Sequence, residues 1–203
     1  MTPWDERYAV EDYVYGTEPN AFLAEAVRGL APGRALCLAE GEGRNAVFLA
    51  SLGHQVLATD ASAVGLTKAE RLAERRGVAL ETRVSDLALF QIEPESWDLV
   101  VSIFCHVPPA LRQDLHRRVV AGIKPGGRLI LEAYTPRQLE LATGGPPTAA
   151  LMMRLVDLRE ELAGLEFVHA AETEREIHEG RLHVGLGAVV QVVGVKPQLG
   201  SAL

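Results

Sequence analysis

The chain has 203 residues, 48% hydrophobic and 23% charged, with a net charge of −7; this suits one domain with a sizeable core and excludes wholesale disorder. It carries no basic stripe and no apolar run near the roughly 18 residues of a membrane span, so neither a nucleic acid nor a bilayer is the expected partner. The two cysteines, Cys37 and Cys105, sit in apolar runs and the N-terminus is acidic, so the expectation is a cytoplasmic chain without a cationic leader.

Residues 1–18 hold Trp4, Tyr8, Tyr13 and Tyr15 with no clear period. Asn20 is placed to cap a helix in which Phe22, Leu23, Ala26, Val27 and Leu30 recur at helical spacing, and Pro32-Gly33 breaks the chain. Residues 34–39 predict a buried strand, 45–52 a helix stopped by Gly53, and 55–59 a second strand ending at Asp60. Ser62 caps a helix running through Arg76, with Gly77 as its stop. Strands follow at about 78–84, ending near Asp86, and at 97–104, which is apolar almost throughout, as a central parallel strand requires. Pro108 and Pro109 open a helix with Leu111, Leu115 and Val119 on its inner face; Lys124-Pro125-Gly126-Gly127 ends it before a strand at 128–134. A Gly/Pro-rich loop covers 135–147, and Thr148 is placed to cap a helix with Leu151, Leu155, Leu158 and Leu162 facing inward. Two β-type stretches, about 165–177 and 182–195, flank a turn at Glu179-Gly180; Glu172–Glu176 reads as a solvated strand face. Alternating strands and helices that end in an antiparallel pair predict a three-layer α/β fold with a mostly parallel sheet.

The strongest local signal is Glu40-Gly41-Glu42-Gly43-Arg44-Asn45 between a strand and a helix. Glycines let a ligand approach the backbone, and the following helix N-terminus offers free N–H groups. Asp60, at the next strand end, can hold both hydroxyls of a ribose. Asp86 and Ser102 to Phe104 also end strands, so several strand ends offer groups to one crevice. A tight turn with acids that serve only as helix caps is the plain alternative. Two cofactor classes fit: Gly41-x-Gly43-x-x-Ala46 matches a dinucleotide fingerprint, which keeps an NAD(P)-dependent oxidoreductase open, whereas Glu40 and Glu42 would repel a pyrophosphate and suit the cationic S-adenosylmethionine.

With these motifs the chain resembles the class I S-adenosylmethionine-dependent methyltransferases along nearly all its length. Leu36 to Asn45 is similar to the family's first motif, and its Gly-Arg-Asn ending resembles the small tellurite-resistance and thiopurine-like branch. Thr59-Asp60-Ala61-Ser62, Ser85-Asp86-Leu87, Trp97 to Ser102 and Lys124 to Leu129 resemble the later motifs. The resemblance implies a doubly wound, seven-stranded sheet ending in an antiparallel hairpin, and a single domain: cap segment 1–33, cofactor core 34–134, acceptor side 135–203. It implies that Gly41 and Gly43 line the methionine portion of the cofactor with Glu40, Arg44 and Asn45 nearby. Asp60 and Ala61 take the ribose, Asp86 and Leu87 flank the adenine, and Ser102, Ile103 and Phe104 form the floor. Residues 4–16 fold over the cofactor, with Tyr15-Gly16 touching it and Trp4 packing on helices. Two departures stand out. Cys37 replaces the family's strand acid and Ala39 its first glycine, leaving Glu40 or Glu42 to meet the cofactor's amino group.

The implied activity is methyl transfer to a small-molecule acceptor by in-line displacement, in which alignment does most of the work and no catalytic residue is required. His106 and Tyr134 sit where an acceptor would approach; His106 reads either as a base or as a hydrogen-bonded loop histidine. His178 and His183 flank the turn without a third metal ligand, so no metal is expected. Monomer and homodimer, and a non-catalytic cofactor-binding module, stay open.

Overall fold

A computed structural model describes residues 2–198. In chain order its elements are α1 (Pro3–Tyr8), α2 (Ala21–Ala26), β1 (Arg34–Leu38), α3 (Arg44–Ser51), β2 (Gln55–Asp60), α4 (Ala63–Arg76) and β3 (Glu81–Val84). There follow β4 (Trp97–Ile103), α5 (Pro109–Gly122), β5 (Ile123–Tyr134), α6 (Gln138–Leu141), a 3₁₀ turn (Ala149–Leu151), α7 (Leu155–Glu161), β6 (Glu166–His178) and β7 (Val184–Val195). The seven strands form one sheet in the order β3-β2-β1-β4-β5-β7-β6. The first five pair in parallel, and β7 pairs antiparallel with both β5 and β6.

β1 shows why the sheet sits between two layers. Its side chains alternate, and both faces are buried: Leu36 and Leu38 join one apolar cluster, Ala35 and Cys37 the other. Leu23, Leu49 and Leu66 of α2, α3 and α4 close the Cys37 face, and Leu115, Val119 and Leu158 of α5 and α7 close the opposite one. Asn20 caps α2 through Leu23 N–H and Ser62 caps α4 through Gly65 N–H, as their sequence positions predict. The chain leaves β1 toward β2 on one side and returns through β4 on the other, which opens a crevice at the carboxyl ends of these strands.

Three expectations change. The first segment shows no period in sequence, yet it opens with a helix: Thr2 and Asp5 form a reciprocal capping box around Pro3, and α1 follows. The helix expected from Thr148 is split. The carbonyl of Leu151 meets the His106 ring and that of Met152 accepts from Arg112, while Met153 N–H goes to the Tyr134 carbonyl, so an extended break precedes α7. The third strand is shorter than 78–84 because the chain at Gly77 and Val78 is still closing α4, with Val78 N–H donating to the Ala73 carbonyl, so pairing with β2 begins only at Glu81.

Candidate functional site

The turn after β1 is built by side chains as well as glycines. Ala39, Gly41 and Gly43 all have positive φ, at 50°, 62° and 90°. Glu40 Oε1 accepts the N–H groups of Asn45 (2.9 Å) and Ala46 (2.7 Å), capping α3 where the adjacent Gly43 has no side chain to do so. Burial raises the Glu40 carboxyl to about 7, with the two N–H groups and Arg44 opposing that rise. Asp60 Oδ2 accepts Gly41 N–H (2.9 Å) and Oδ1 accepts Ser62 N–H (2.8 Å), tying the β1 and β2 loops together; burial raises its pKa. The strand acid that the first motif lacks is thus replaced, as far as loop ordering goes, by Glu40, while Cys37 is core.

A cavity of about 540 Å³ opens above the carboxyl ends of β1, β2 and β4. Of the sequence-predicted residues, Tyr15, Gly16, Glu40, Arg44, Asn45, Asp60, Ala61, Asp86, Leu87, Ile103, Phe104, His106 and Tyr134 line it. Gly41, Gly43 and Ser102 do not. A Cβ on Gly41 would come 2.5 Å from the Tyr8 hydroxyl, and one on Gly43 would come 2.6 Å from Ala69 Cα of α4. Those glycines therefore answer to protein packing, with no wall contact, and Ser102 is buried within β4.

The remaining wall is aromatic and apolar. Phe104, itself at φ 53°, stacks on Tyr134 with ring centroids 4.7 Å apart, and His183 lies edge-on to Phe104 at 4.7 Å and meets Tyr15 at 4.5 Å. His106 stacks on Tyr134, and Val107, Leu111, Leu151, Leu182 and Pro146 complete that side. His106 Nδ1 lies 2.9 Å from the Leu151 carbonyl, which fixes the proton on Nδ1, and Nε2 faces Tyr134 N–H at 3.4 Å. Burial lowers His106 to about 4, so the ring is neutral near pH 7 and weak as a base. His183 is lowered to about 3 by burial and by Arg44, and its Nδ1 has no hydrogen-bond partner.

Sequence reasoning did not place His183, Arg7 or Leu182 here, and it set Trp4 on helices rather than in the wall. The Thr2-x-x-Asp5 box was the available signal for α1; nothing local marks His183, which a hairpin brings from the far end of the chain. The segment between α1 and α2 straps over the mouth. Lys68 Nζ pairs with Glu42 (2.5 Å) and donates to the carbonyls of Val10 (2.9 Å) and Asp12 (2.7 Å), while Glu42 also accepts Tyr15 N–H. Arg181 N–H donates to the Val14 carbonyl, so the hairpin tip holds the strap from the other side. Behind the wall Arg44 pairs with Glu179 (2.7 Å), and Glu179 and Glu132 share Arg175 and Asn20; Arg44 Nη1 is buried without a partner. Arg175 thus turns inward from the strand face read as solvated, because alternate residues of β6 face the sheet's covered side.

Residues 35–127 match the family model described as a methyltransferase domain. Comparison with curated proteins gives no match. Among solved structures, one from work on the conversion of a disulfide bond into a thioacetal group during echinomycin biosynthesis has a TM-score of 0.76 at 18% identity over 98% of this chain and 93% of that one. TehB from Haemophilus influenzae has a TM-score of 0.73 at 17% identity over 95% and 65% of the respective chains. A SAM-dependent methyltransferase from Methanosarcina mazei has a TM-score of 0.66 at 19% identity, covering 90% of this chain and all of its own. These likenesses bear on the fold, which is the Rossmann-like methyltransferase fold. The match over residues 35–127 is to a methyltransferase domain, and together with the fold it supports an S-adenosylmethionine-dependent methyltransferase with S-adenosylmethionine as the cofactor. These findings favour methyl transfer over the oxidoreductase reading of the glycine-rich turn.

Proposed function

We propose that the protein transfers a methyl group to a small-molecule acceptor inside the strapped cavity. The observation that carries this reading is the convergence of Asp60, of Asp86 with Leu87, and of Ile103 with Phe104 from three strand ends on one space, beside a buried Arg44 whose Nη1 has no partner. A cofactor carboxylate would satisfy that guanidinium, so the residues present fit the methionine end of S-adenosylmethionine. Asp60 would hold the ribose hydroxyls and Asp86 with Leu87 the adenine, with Tyr15 and Gly16 of the strap closing over both. Once bound, the cofactor supplies an electrophilic methyl on a sulfonium.

The chain's own part is alignment and exclusion of water. Proximity of this kind supplies up to roughly 7–11 kcal/mol. His106 holds the Leu151 carbonyl with Nδ1 and faces Tyr134 N–H with Nε2, so it shapes the acceptor side rather than taking a proton. The Gly-Arg-Asn ending and the likeness to TehB support the tellurite-resistance-like branch, which brings tellurite and thiols into the acceptor panel. Calorimetry with S-adenosylmethionine, S-adenosylhomocysteine and NAD tests the reading. Binding of the first two without NAD is expected; tight NAD binding without S-adenosylhomocysteine binding would overturn it.

A further inference from the structure

The wall that faces the acceptor is chemically selective in what it lacks. Phe104, His106, Val107, Leu111, Tyr134, Leu151 and His183 bring flat rings and aliphatic groups, and among the described residues of that side no ionised side chain is available. The nearest arginine of the cavity, Arg44, is paired with Glu179 through Nη2, and its open Nη1 is the one assigned above to the cofactor carboxylate; Arg7, at the mouth, donates to the Tyr15 hydroxyl. A thiolate or an oxyanion on this wall would lose its water with no side-chain cation to replace it, leaving the cofactor's sulfonium as its one positive neighbour. A neutral phenol or alcohol would need a base. His106 cannot serve well: its proton sits on Nδ1 toward Leu151, its Nε2 faces a backbone N–H, and burial has made it weakly basic. The rings of Phe104 and Tyr134, 4.7 Å apart, suit a flat apolar body and an emerging positive charge alike. The cavity, about 540 Å³, must hold cofactor and acceptor together, so the acceptor is small.

We infer that the acceptor is an uncharged, flat heteroaromatic molecule that attacks through a pyridine-type ring nitrogen lying against the Phe104–Tyr134–His183 wall. The inference rests on the methyltransferase reading above. The ring-nitrogen lone pair forms the new N–CH₃ bond, the S–CH₃ bond breaks, and its electron pair stays on sulfur. The positive charge passes from sulfonium to ring nitrogen and no proton has to leave, which matches a site without a base.

The test uses the full chain with S-adenosylmethionine and four probes: isoquinoline, thiophenol, phenol and sodium tellurite, with methylated products read by mass spectrometry. N-methylisoquinolinium is expected, with kcat/KM at least about tenfold above that for any other probe. Methylation of thiophenol, phenol or tellurite with isoquinoline left untouched overturns the inference. Binding is read in parallel, by titrating isoquinoline into the protein loaded with S-adenosylhomocysteine. It should bind, and Leu111→Trp, which fills the acceptor side, should abolish that binding while S-adenosylhomocysteine affinity stays within about twofold of wild type. Absence of isoquinoline binding to the loaded wild type also overturns the inference. Failure of S-adenosylhomocysteine itself to bind would instead refute the methyltransferase reading on which the inference stands.

Discussion

Gly43 offers a sharp test of the idea that the glycine-rich turn answers first to packing. It has φ 90°, and a Cβ there would stand 2.6 Å from Ala69 Cα, closer still to Ala69 Cβ, so α4 as well as a side chain must yield. Gly77, at φ 67°, is its natural control, because nothing lies within 4 Å of its added Cβ. In Gly77→Ala only the left-handed backbone counts, about 1–2 kcal/mol offset by about 0.4–1 kcal/mol from a stiffer unfolded chain, for a net near 1 kcal/mol. In Gly43→Ala the clash adds a further 1–3 kcal/mol or so, giving about 2–4 kcal/mol and a melting point lower by about 4–16 °C for a domain of this size. Urea unfolding followed by tryptophan fluorescence measures both. Equal losses in the two variants, within about 0.5 kcal/mol, would refute the packing argument. So would a Gly43→Ala protein of unchanged stability that binds S-adenosylhomocysteine more than about tenfold weaker, since that would return Gly43 to the ligand.

Asp60→Asn should weaken S-adenosylhomocysteine binding by about 1–3 kcal/mol by calorimetry; unchanged affinity would remove Asp60 from the cofactor site. Lys68→Met breaks the buried pair with Glu42 and releases two strap carbonyls, with an expected cost of about 3–5 kcal/mol and faster amide exchange over 8–15. The Lys68→Met/Glu42→Gln double variant should recover part of that loss, and strict additivity would contradict the pairing. Glu40 titrates at about 7 in the fold against 4.5 for the free group, so between those values the native state holds a proton that the unfolded chain releases. Its contribution therefore falls as pH rises through that window, and Glu40→Gln should remove this downward slope from the stability profile. An unaltered slope would show that Glu40 ionises normally.

How much was legible in the sequence follows from the range over which each signal acts. The alternation of apolar runs with helical spacing, the Asn20 and Ser62 caps, and the stops at glycine are local, and they fixed the parallel sheet, its antiparallel close and the cavity's position above the strand ends. Most of the strand-end residues picked from the sequence line one cavity, because a doubly wound sheet brings its strand ends together whatever their spacing in the chain. What the local pattern could not carry was the competition for individual polar atoms. Thr148 and its leucines read as one helix until the carbonyls of Leu151 and Met152 are claimed by His106 and Arg112. Gly43 reads as a ligand cradle until α4 is laid against it. His183 reads as a turn residue until the β6–β7 hairpin carries it to Phe104 and Tyr15. The chain's own pattern determined which segments are strands and helices and where a ligand space opens, because hydrophobic periodicity and capping act within a few residues. Only the tertiary structure decided which side chains face that space, because that depends on contacts between segments far apart in sequence.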